Sequence, residues 1–214
     1  MKIVVNDLII NYQIFNDGNK ETLVFLHGWG RSLKDFLPFI KDFRKYKIVL
    51  MDLPCFGDSQ TPNSNSFGIK DYATIVYNFI EKLEINKYAL IEHSIGGKTA
   101  CIVAANDKKC KQLILICPSG ITLPNVKKIL FTVFKPIKII LPNIIKVKLR
   151  SDDYKNAGEL KNIFLNVIKK DIKEYLPRIE QETLIIWGEK DDQVPLKTSK
   201  IFKNNIGVLQ ESFV

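Results

Sequence analysis

Short apolar segments alternate with segments of helical periodicity between residues 22 and 117. The apolar segments are typical of strands buried on both faces of a parallel sheet, and we place them at Thr22–Leu26, Lys47–Asp52, Tyr88–Ile91 and Gln112–Cys117. Apolar residues at intervals of three and four indicate amphipathic helices, which we place within Ser32–Phe43 and at Lys70–Leu83 and Gly96–Asn106. This alternation predicts an α/β fold: a mostly parallel sheet with helices on both faces.

The chain departs from this alternation at its start and in its second half. Lys2–Ile10 and Asn11–Phe15 predict two N-terminal antiparallel strands that meet near Asn11. Residues 121–176 contain no convincing strand and are interrupted by prolines, so a helical insertion is expected there.

The sheet pattern returns after this insertion. Thr183–Trp187 is expected to be a further strand, and a helix is predicted around Leu196–Phe202. The expected organisation is therefore a core of residues 1–120 and 177–214, with residues 121–176 inserted as a separate helical unit.

Composition narrows the class of protein. The chain has 214 residues, of which 46% are hydrophobic, and no window approaches the roughly 18 consecutive apolar residues of a membrane span. The segment Met1–Asp7 has no signal-peptide pattern, so a cytoplasmic location is expected. The four cysteines are irregularly spaced, which predicts reduced thiols rather than disulfides or metal ligands. No cofactor is expected.

Most of the net charge of +9 lies in one segment. Residues 121–150 hold seven lysines and arginines and no acidic residue, which leaves the rest of the chain nearly neutral. These cations are spaced among apolar residues, which favours an amphipathic covering element over a nucleic-acid interface. A solvated face of a lysine-rich chain explains the pattern equally simply, and weak contact with a membrane surface stays open. The oligomeric state is not predicted.

The most informative local pattern surrounds Ser94. The apolar strand Ala89–Ile91 leads into Glu92-His93-Ser94-Ile95-Gly96-Gly97, and a helix-forming segment follows. A sharp turn from strand to helix exposes a serine hydroxyl at the top of a sheet, and the two glycines let the helix pack closely. This pattern predicts a nucleophilic serine.

Two other strand ends carry candidate chemistry at the same edge of the sheet. His27-Gly28-Trp29-Gly30 follows one strand, and the backbone N–H groups of such a turn, with that of Ile95, are candidates to bind an oxyanion. Residues 187–195, Trp-Gly-Glu-Lys-Asp-Asp-Gln-Val-Pro, follow another strand and supply carboxylates that can orient a base.

These motifs, together with Asp52-Leu53-Pro54-Cys55-Phe56-Gly57-Asp58-Ser59, resemble the α/β-hydrolase family in its branch of small serine esterases and C–C-bond hydrolases. The resemblance extends from Thr22 to Phe202. It implies Ser94 as nucleophile, Asp191 rather than Asp192 as the triad acid, and the backbone N–H groups of Trp29 and Ile95 as oxyanion donors. It also implies that residues 121–176 form a helical lid and that the partner is a small acyl compound, with a carboxylic ester as the expected substrate.

Two features depart from the family pattern. Glu92 stands where the family has a small residue two positions before the nucleophile, and its side chain either crowds the turn or points outward. The triad order is serine, acid, histidine, and no histidine follows Asp191 in these 214 residues. The chain is therefore expected to be cut short, with the last strand and helix missing and an unpaired edge beside Thr183–Trp187.

Only His27 and His93 are available within the chain. His27 is expected to anchor its turn, and alternation along the strand is expected to direct the His93 side chain away from that of Ser94 and beneath the turn. Two functions are therefore kept: hydrolysis through an acyl-serine intermediate, or a catalytically inactive member of the fold that acts as a binding module or is an inert fragment.

Overall fold

Eight strands form one sheet in the part of the chain that the structure describes. The structure is a computed structural model that describes residues 1–121, 153, 156–191, 194 and 196–214. The strands are β1 (Lys2–Val5), β2 (Leu8–Phe15), β3 (Thr22–Leu26), β4 (Lys47–Met51), β5 (Tyr88–His93), β6 (Cys110–Ile116), β7 (Glu182–Trp187) and β8 (Leu209–Phe213). The α-helices are α1 (Ile69–Lys82), α2 (Ile95–Ala104), α3 (Lys161–Lys169) and α4 (Ser199–Asn205). The 3-10 segments are Leu33–Phe43, Gly158–Leu160, Leu176–Arg178 and Leu196–Thr198.

The strand order is β1-β2-β4-β3-β5-β6-β7-β8. The pairs β1–β2 and β2–β4 are antiparallel, and every later pair is parallel. This confirms the predicted fold class. The carboxyl ends of β3, β5, β6 and β7 lie along one edge of the sheet, so the loops that follow these strands meet there.

The turn between the first two strands differs from the prediction. It lies at Asn6 and Asp7, which both have positive φ, and not near Asn11. Asparagine and aspartate tolerate this conformation and form tight hairpin turns. Asn11 instead lies within β2, where its side-chain amide donates a 2.8 Å hydrogen bond to the buried carboxylate of Asp52.

Helices cover both faces of the sheet. The larger core includes α1, α2 and α3, and the apolar positions of α1 that face it are Tyr72, Ala73, Ile75, Val76, Phe79 and Ile80. The smaller core lies on the other face, where Leu33 and Phe36 of the 3-10 segment pack on β3, β4 and β5. Because β3 is buried along its whole length, its sequence is apolar from Leu23 to Leu26.

The expectation of a missing last strand and an unpaired edge at Thr183–Trp187 is wrong. β8 pairs in parallel with β7, from Thr183 opposite Leu209 to Trp187 opposite Phe213, and α4 connects the two strands. β8 is only partly buried, so it carries polar residues and lacks the apolar run by which the other strands are recognised.

Most of the predicted helical insertion lies outside the described residues, including 122–150. Its described part, residues 121, 153 and 156–176, contains the 3-10 segment Gly158–Leu160 and α3, and the 3-10 segment Leu176–Arg178 begins at its last residue. The hydrogen bond from the Ile172 N–H to the Gly120 carbonyl brings this part back against the core. Among the described helices, none is long and apolar enough to cross a membrane.

Candidate active site

Ser94 lies at a sharp turn between β5 and α2. Its φ of 57° and ψ of −113° are strained for a residue with a side chain. The Ser94 N–H donates to the Ile116 carbonyl, and the Ser94 carbonyl accepts from the N–H groups of Gly97 and Ser119. These bonds hold the turn in place, so the structure puts Ser94 in the strained position that the sequence predicts.

The two glycines after Ser94 are required by close packing. A Cβ at Gly96 would lie 2.6 Å from the Leu26 backbone oxygen, which belongs to the neighbouring strand β3. At Gly97 a Cβ would overlap the carboxyl group of Glu92. The start of α2 therefore lies directly against the sheet.

Glu92 points inward, beneath the turn. Its side chain is fully buried against Gly97, and neither carboxyl oxygen makes a hydrogen bond of good geometry among the described residues. Burial raises the pKa of Glu92 well above its ordinary value, and the nearby backbone groups of Ile116 and Gly97 lower it only in part, so the group is held uncharged. Of the two orientations expected from the sequence, the outward one is wrong.

The turn after β3 lies against Ser94. A Cβ at Gly28 would be 3.4 Å from the Ser94 Cβ and 3.0 Å from the His93 Nδ1, so only glycine fits without displacement. The Trp29 ring packs edge-on against Phe56 and Phe164, with ring centroids 4.9 Å apart in each pair. The 28–30 turn and the start of α2 thus meet beside the serine.

His27 holds this turn in place. Its Nδ1–H donates to the Gly28 carbonyl at 2.8 Å, and its Nε2 accepts from the Leu53 N–H at 2.9 Å. Burial lowers the pKa of His27, which keeps the ring neutral. Because both ring nitrogens are engaged, His27 has the anchoring position expected from the sequence.

Asp191 follows β7 and borders the same cavity as Ser94. Its carboxylate accepts a 2.8 Å hydrogen bond from the Val194 N–H, and its own N–H donates to the Gly188 carbonyl. The cavity has a volume of about 430 Å³ and is lined by Gly28, Trp29, Arg31, Asp35, His93, Ser94, Cys117, Asp153, Asp191 and Val194. Asp192 lies outside the described residues.

The predicted position of His93 beneath the turn is wrong. The residue is exposed and lines the cavity together with Ser94. Alternation of side chains holds only while the backbone stays extended, and the positive φ of Ser94 ends it. Desolvation and then the Arg31 guanidinium lower the pKa of His93, while Asp35 and Asp191 oppose them.

Several residues of the cavity, among them Arg31, Asp35 and Cys117, were not singled out from the sequence. Arg31 and Asp35 form an ion pair at 2.7 Å, and their i,i+4 spacing after the glycine turn is the signal that could have found them. Cys117 ends the β6 segment with a φ of 45°, and burial is the main cause of its raised pKa. No cluster of three or more metal-ligating side chains occurs among the described residues.

The chain belongs to the family described as the alpha/beta hydrolase fold, whose pattern it matches over residues 21–139. It is 24% identical to the hydrolase YugF of Bacillus subtilis, over 93% of this chain and 83% of that protein. It is 28% identical to a pimeloyl-[acyl-carrier protein] methyl ester esterase of Legionella pneumophila, over 92% of this chain and 86% of that protein.

Solved structures show the same fold. A hydrolase from Pseudomonas aeruginosa superposes with a TM-score of 0.79 at 16% identity, covering 100% of this chain and 89% of its own. At this identity the likeness supports the fold and not a substrate.

Proposed function

We propose that the chain is a serine hydrolase that cleaves a small carboxylic ester through an acyl-serine intermediate at Ser94. The observation that carries this proposal is the meeting of three parts at one cavity: the strained Ser94, the glycine turn at residues 28–30, and Asp191. The names of its relatives, which include a methyl ester esterase, support an ester as the substrate.

In the proposed reaction the Ser94 oxygen attacks the ester carbonyl. The N–H groups of Trp29 and Ile95 bind the oxyanion of the tetrahedral intermediate, and a well-placed donor of this kind contributes roughly 3–4 kcal/mol to the transition state. Collapse of the intermediate releases the alcohol and leaves an acyl group on Ser94. Water then attacks the acyl group and releases the acid.

The proposal needs a base that takes the Ser94 proton and is oriented by Asp191. His27 is fully engaged, and His93 borders the cavity without a hydrogen bond to Ser94 among the described residues. The end of β8 lies beside the Asp191 loop, since the Glu189 N–H donates to the Val214 carbonyl at 2.9 Å. Residues 1–214 contain no histidine besides His27 and His93, so the test below supplies imidazole from solution.

Ester hydrolysis tests the proposal. With p-nitrophenyl esters of increasing acyl length, Ser94→Ala is expected to lose the protein-dependent rate, whereas the exposed Ser212→Ala retains it. Imidazole added to the 214-residue chain is expected to raise the rate of the wild type above that of Ser94→Ala, which also measures hydrolysis by imidazole itself. Equal rates for the wild type and Ser94→Ala under both conditions contradict the proposal.

The competing function is an inactive binding module. It is favoured by one observation: among the described residues, His93 and Ser94 form no hydrogen bond with each other. A fluorophosphonate probe separates the two because it labels only an activated serine. Labelling of the wild type but not of Ser94→Ala supports the hydrolase. Absence of labelling with and without imidazole, in a chain with a cooperative unfolding transition, supports the binding module.

A further inference from the structure

The fold buries Lys98 almost completely. This residue lies on α2 one turn after Ser94, is 2% exposed, and donates a 2.6 Å hydrogen bond from Nζ to the Val167 carbonyl. Val167 lies in the last turn of α3, where carbonyl groups have no partner within the helix. An ammonium group carries three N–H donors, and the described residues provide an acceptor for one of them.

This contact connects the helix of Ser94 to a wall of the cavity. Phe164 lies one turn before Val167 on α3 and packs against the Trp29 ring. On the same helix, Asn166 donates to backbone carbonyls of the loop at residues 65–67. α3 therefore rests on α2, on the 28–30 turn and on this loop, and it supports the Trp29 side chain, which lines the cavity.

The buried amine binds a proton less readily than an exposed one. Desolvation lowers the pKa of Lys98 from 10.5 to about 8; Asp171 raises it and Lys170 lowers it. Asp171 thus opposes the effect of burial only in part, and Lys170, which adds to that effect, is itself paired with Glu174. A state in which α3 is undocked exposes the amine, and such a state binds the proton more tightly than the docked state.

We propose that Lys98 is a positioning residue whose protonation loosens the docking of α3 against Trp29, so that this wall of the Ser94 cavity is held more tightly as the pH rises from 7 to 9. That this cavity holds the acyl group rests on the proposed function. The docking of α3 is a property of the fold alone, and it can be measured without turnover.

Hydrogen exchange followed by mass spectrometry tests the docking directly. Protection factors for residues 161–169, corrected for the intrinsic effect of pH on exchange, are compared at pH 7 and pH 9 with those of α1. With a docked pKa of about 8 and an undocked value near 10.5, linkage predicts that protection of α3 in the wild type rises about tenfold. Protection of α1 is expected to stay unchanged.

Variants at residue 98 test whether the effect of pH on α3 protection comes from the Lys98 amine. Lys98→Met has no proton to bind, so its α3 protection is expected to be the same at both pH values. Lys98→Arg stays charged throughout, so its protection stays flat and below that of the wild type. The matched control is Lys108→Met, which makes the same change at an exposed position and is expected to retain the tenfold rise.

The proposal is overturned if the α3 protection factor of the wild type stays the same or falls between pH 7 and pH 9. It is also overturned if the α3 protection factor of Lys98→Met rises as that of the wild type does. The comparison of the wild type at two pH values needs no variant to fold. Failure of the ester assay together with the predicted exchange pattern overturns the proposed function and leaves the role of Lys98 in place.

Discussion

Glu92 and Gly97 share one volume beneath the turn that presents Ser94. The carboxyl group of Glu92 occupies the space that a Cβ at residue 97 would need, and it makes no hydrogen bond of good geometry there among the described residues. A buried polar group without a good hydrogen bond lowers the free energy of unfolding, and Glu92 lies beneath the turn that positions Ser94. The two residues are therefore expected to be coupled in stability.

A double-mutant cycle measures this coupling. Gly97→Ala is expected to lower the free energy of unfolding by about 1–3 kcal/mol because the new methyl group overlaps Glu92. In a Glu92→Ala background the same change is expected to cost much less, since the space has been vacated. Urea unfolding of the four proteins gives both values.

Gly96→Ala is the matched control for this cycle. Its Cβ would meet the backbone oxygen of Leu26, which cannot move away as a side chain can. Its cost is expected to be the same in the wild-type and the Glu92→Ala backgrounds. If Gly97→Ala also costs the same in both backgrounds, the two residues do not share the space described.

At the scale of the element, β8 closes the sheet with a short, partly exposed strand. The Val208 carbonyl accepts from the Thr183 N–H, and the Val214 N–H donates to the Trp187 carbonyl. Because backbone groups alternate in direction along a strand, the N–H of Ser212 faces β7 and that of Phe213 faces away from it. Neighbouring positions therefore differ in whether they contribute to the ladder.

Proline substitutions at these two positions test which backbone N–H group donates to β7. Ser212→Pro is expected to remove a ladder hydrogen bond and to destabilise the protein by about 1–3 kcal/mol more than Phe213→Pro, whose N–H faces away from β7. Thermal and urea unfolding of the two variants give the comparison. Equal destabilisation by both prolines would contradict the register of β7 and β8.

The same strand shows which elements the sequence reveals. β3, β4 and β5 are recognised because most of their residues are buried on both faces, which favours a run of apolar residues. β8 is an edge strand with one neighbour, so its sequence carries no comparable constraint. A strand is thus predictable to the extent that its neighbours bury it.

Some parts of the candidate site can likewise be predicted from the sequence, and others cannot. The placement of Ser94 and of the 28–30 turn follows from glycine positions, because close backbone approach excludes other residues. The position of the His93 side chain could not be predicted from the sequence, because the alternation of side chains along the strand fails at the strained Ser94 that follows it. The i,i+4 spacing of Arg31 and Asp35 indicates their ion pair, but its place at the cavity follows from tertiary packing, which that spacing does not encode.

At the scale of the whole molecule, the four cysteines differ in how deeply they are buried. All four are free; Cys101 on α2 and Cys110 at the start of β6 are buried, whereas Cys55 and Cys117 are half-buried. Thiol reactivity depends on exposure and on the fraction of thiolate, and burial disfavours both. The distribution of reactive thiols therefore reports whether α2 is packed on the sheet as described.

Titration with a thiol reagent is expected to show two cysteines that react in the native state and four in urea. Cys117→Ser is expected to remove one of the two native equivalents, because Cys117 lines the cavity beside Ser94. A covalent adduct at Ser94 is expected to slow the reaction of Cys117 and leave that of Cys55 unchanged. Four equivalents reacting equally fast without denaturant would contradict the burial of Cys101 between α2 and the sheet, and with it the packing that holds Ser94 in its turn.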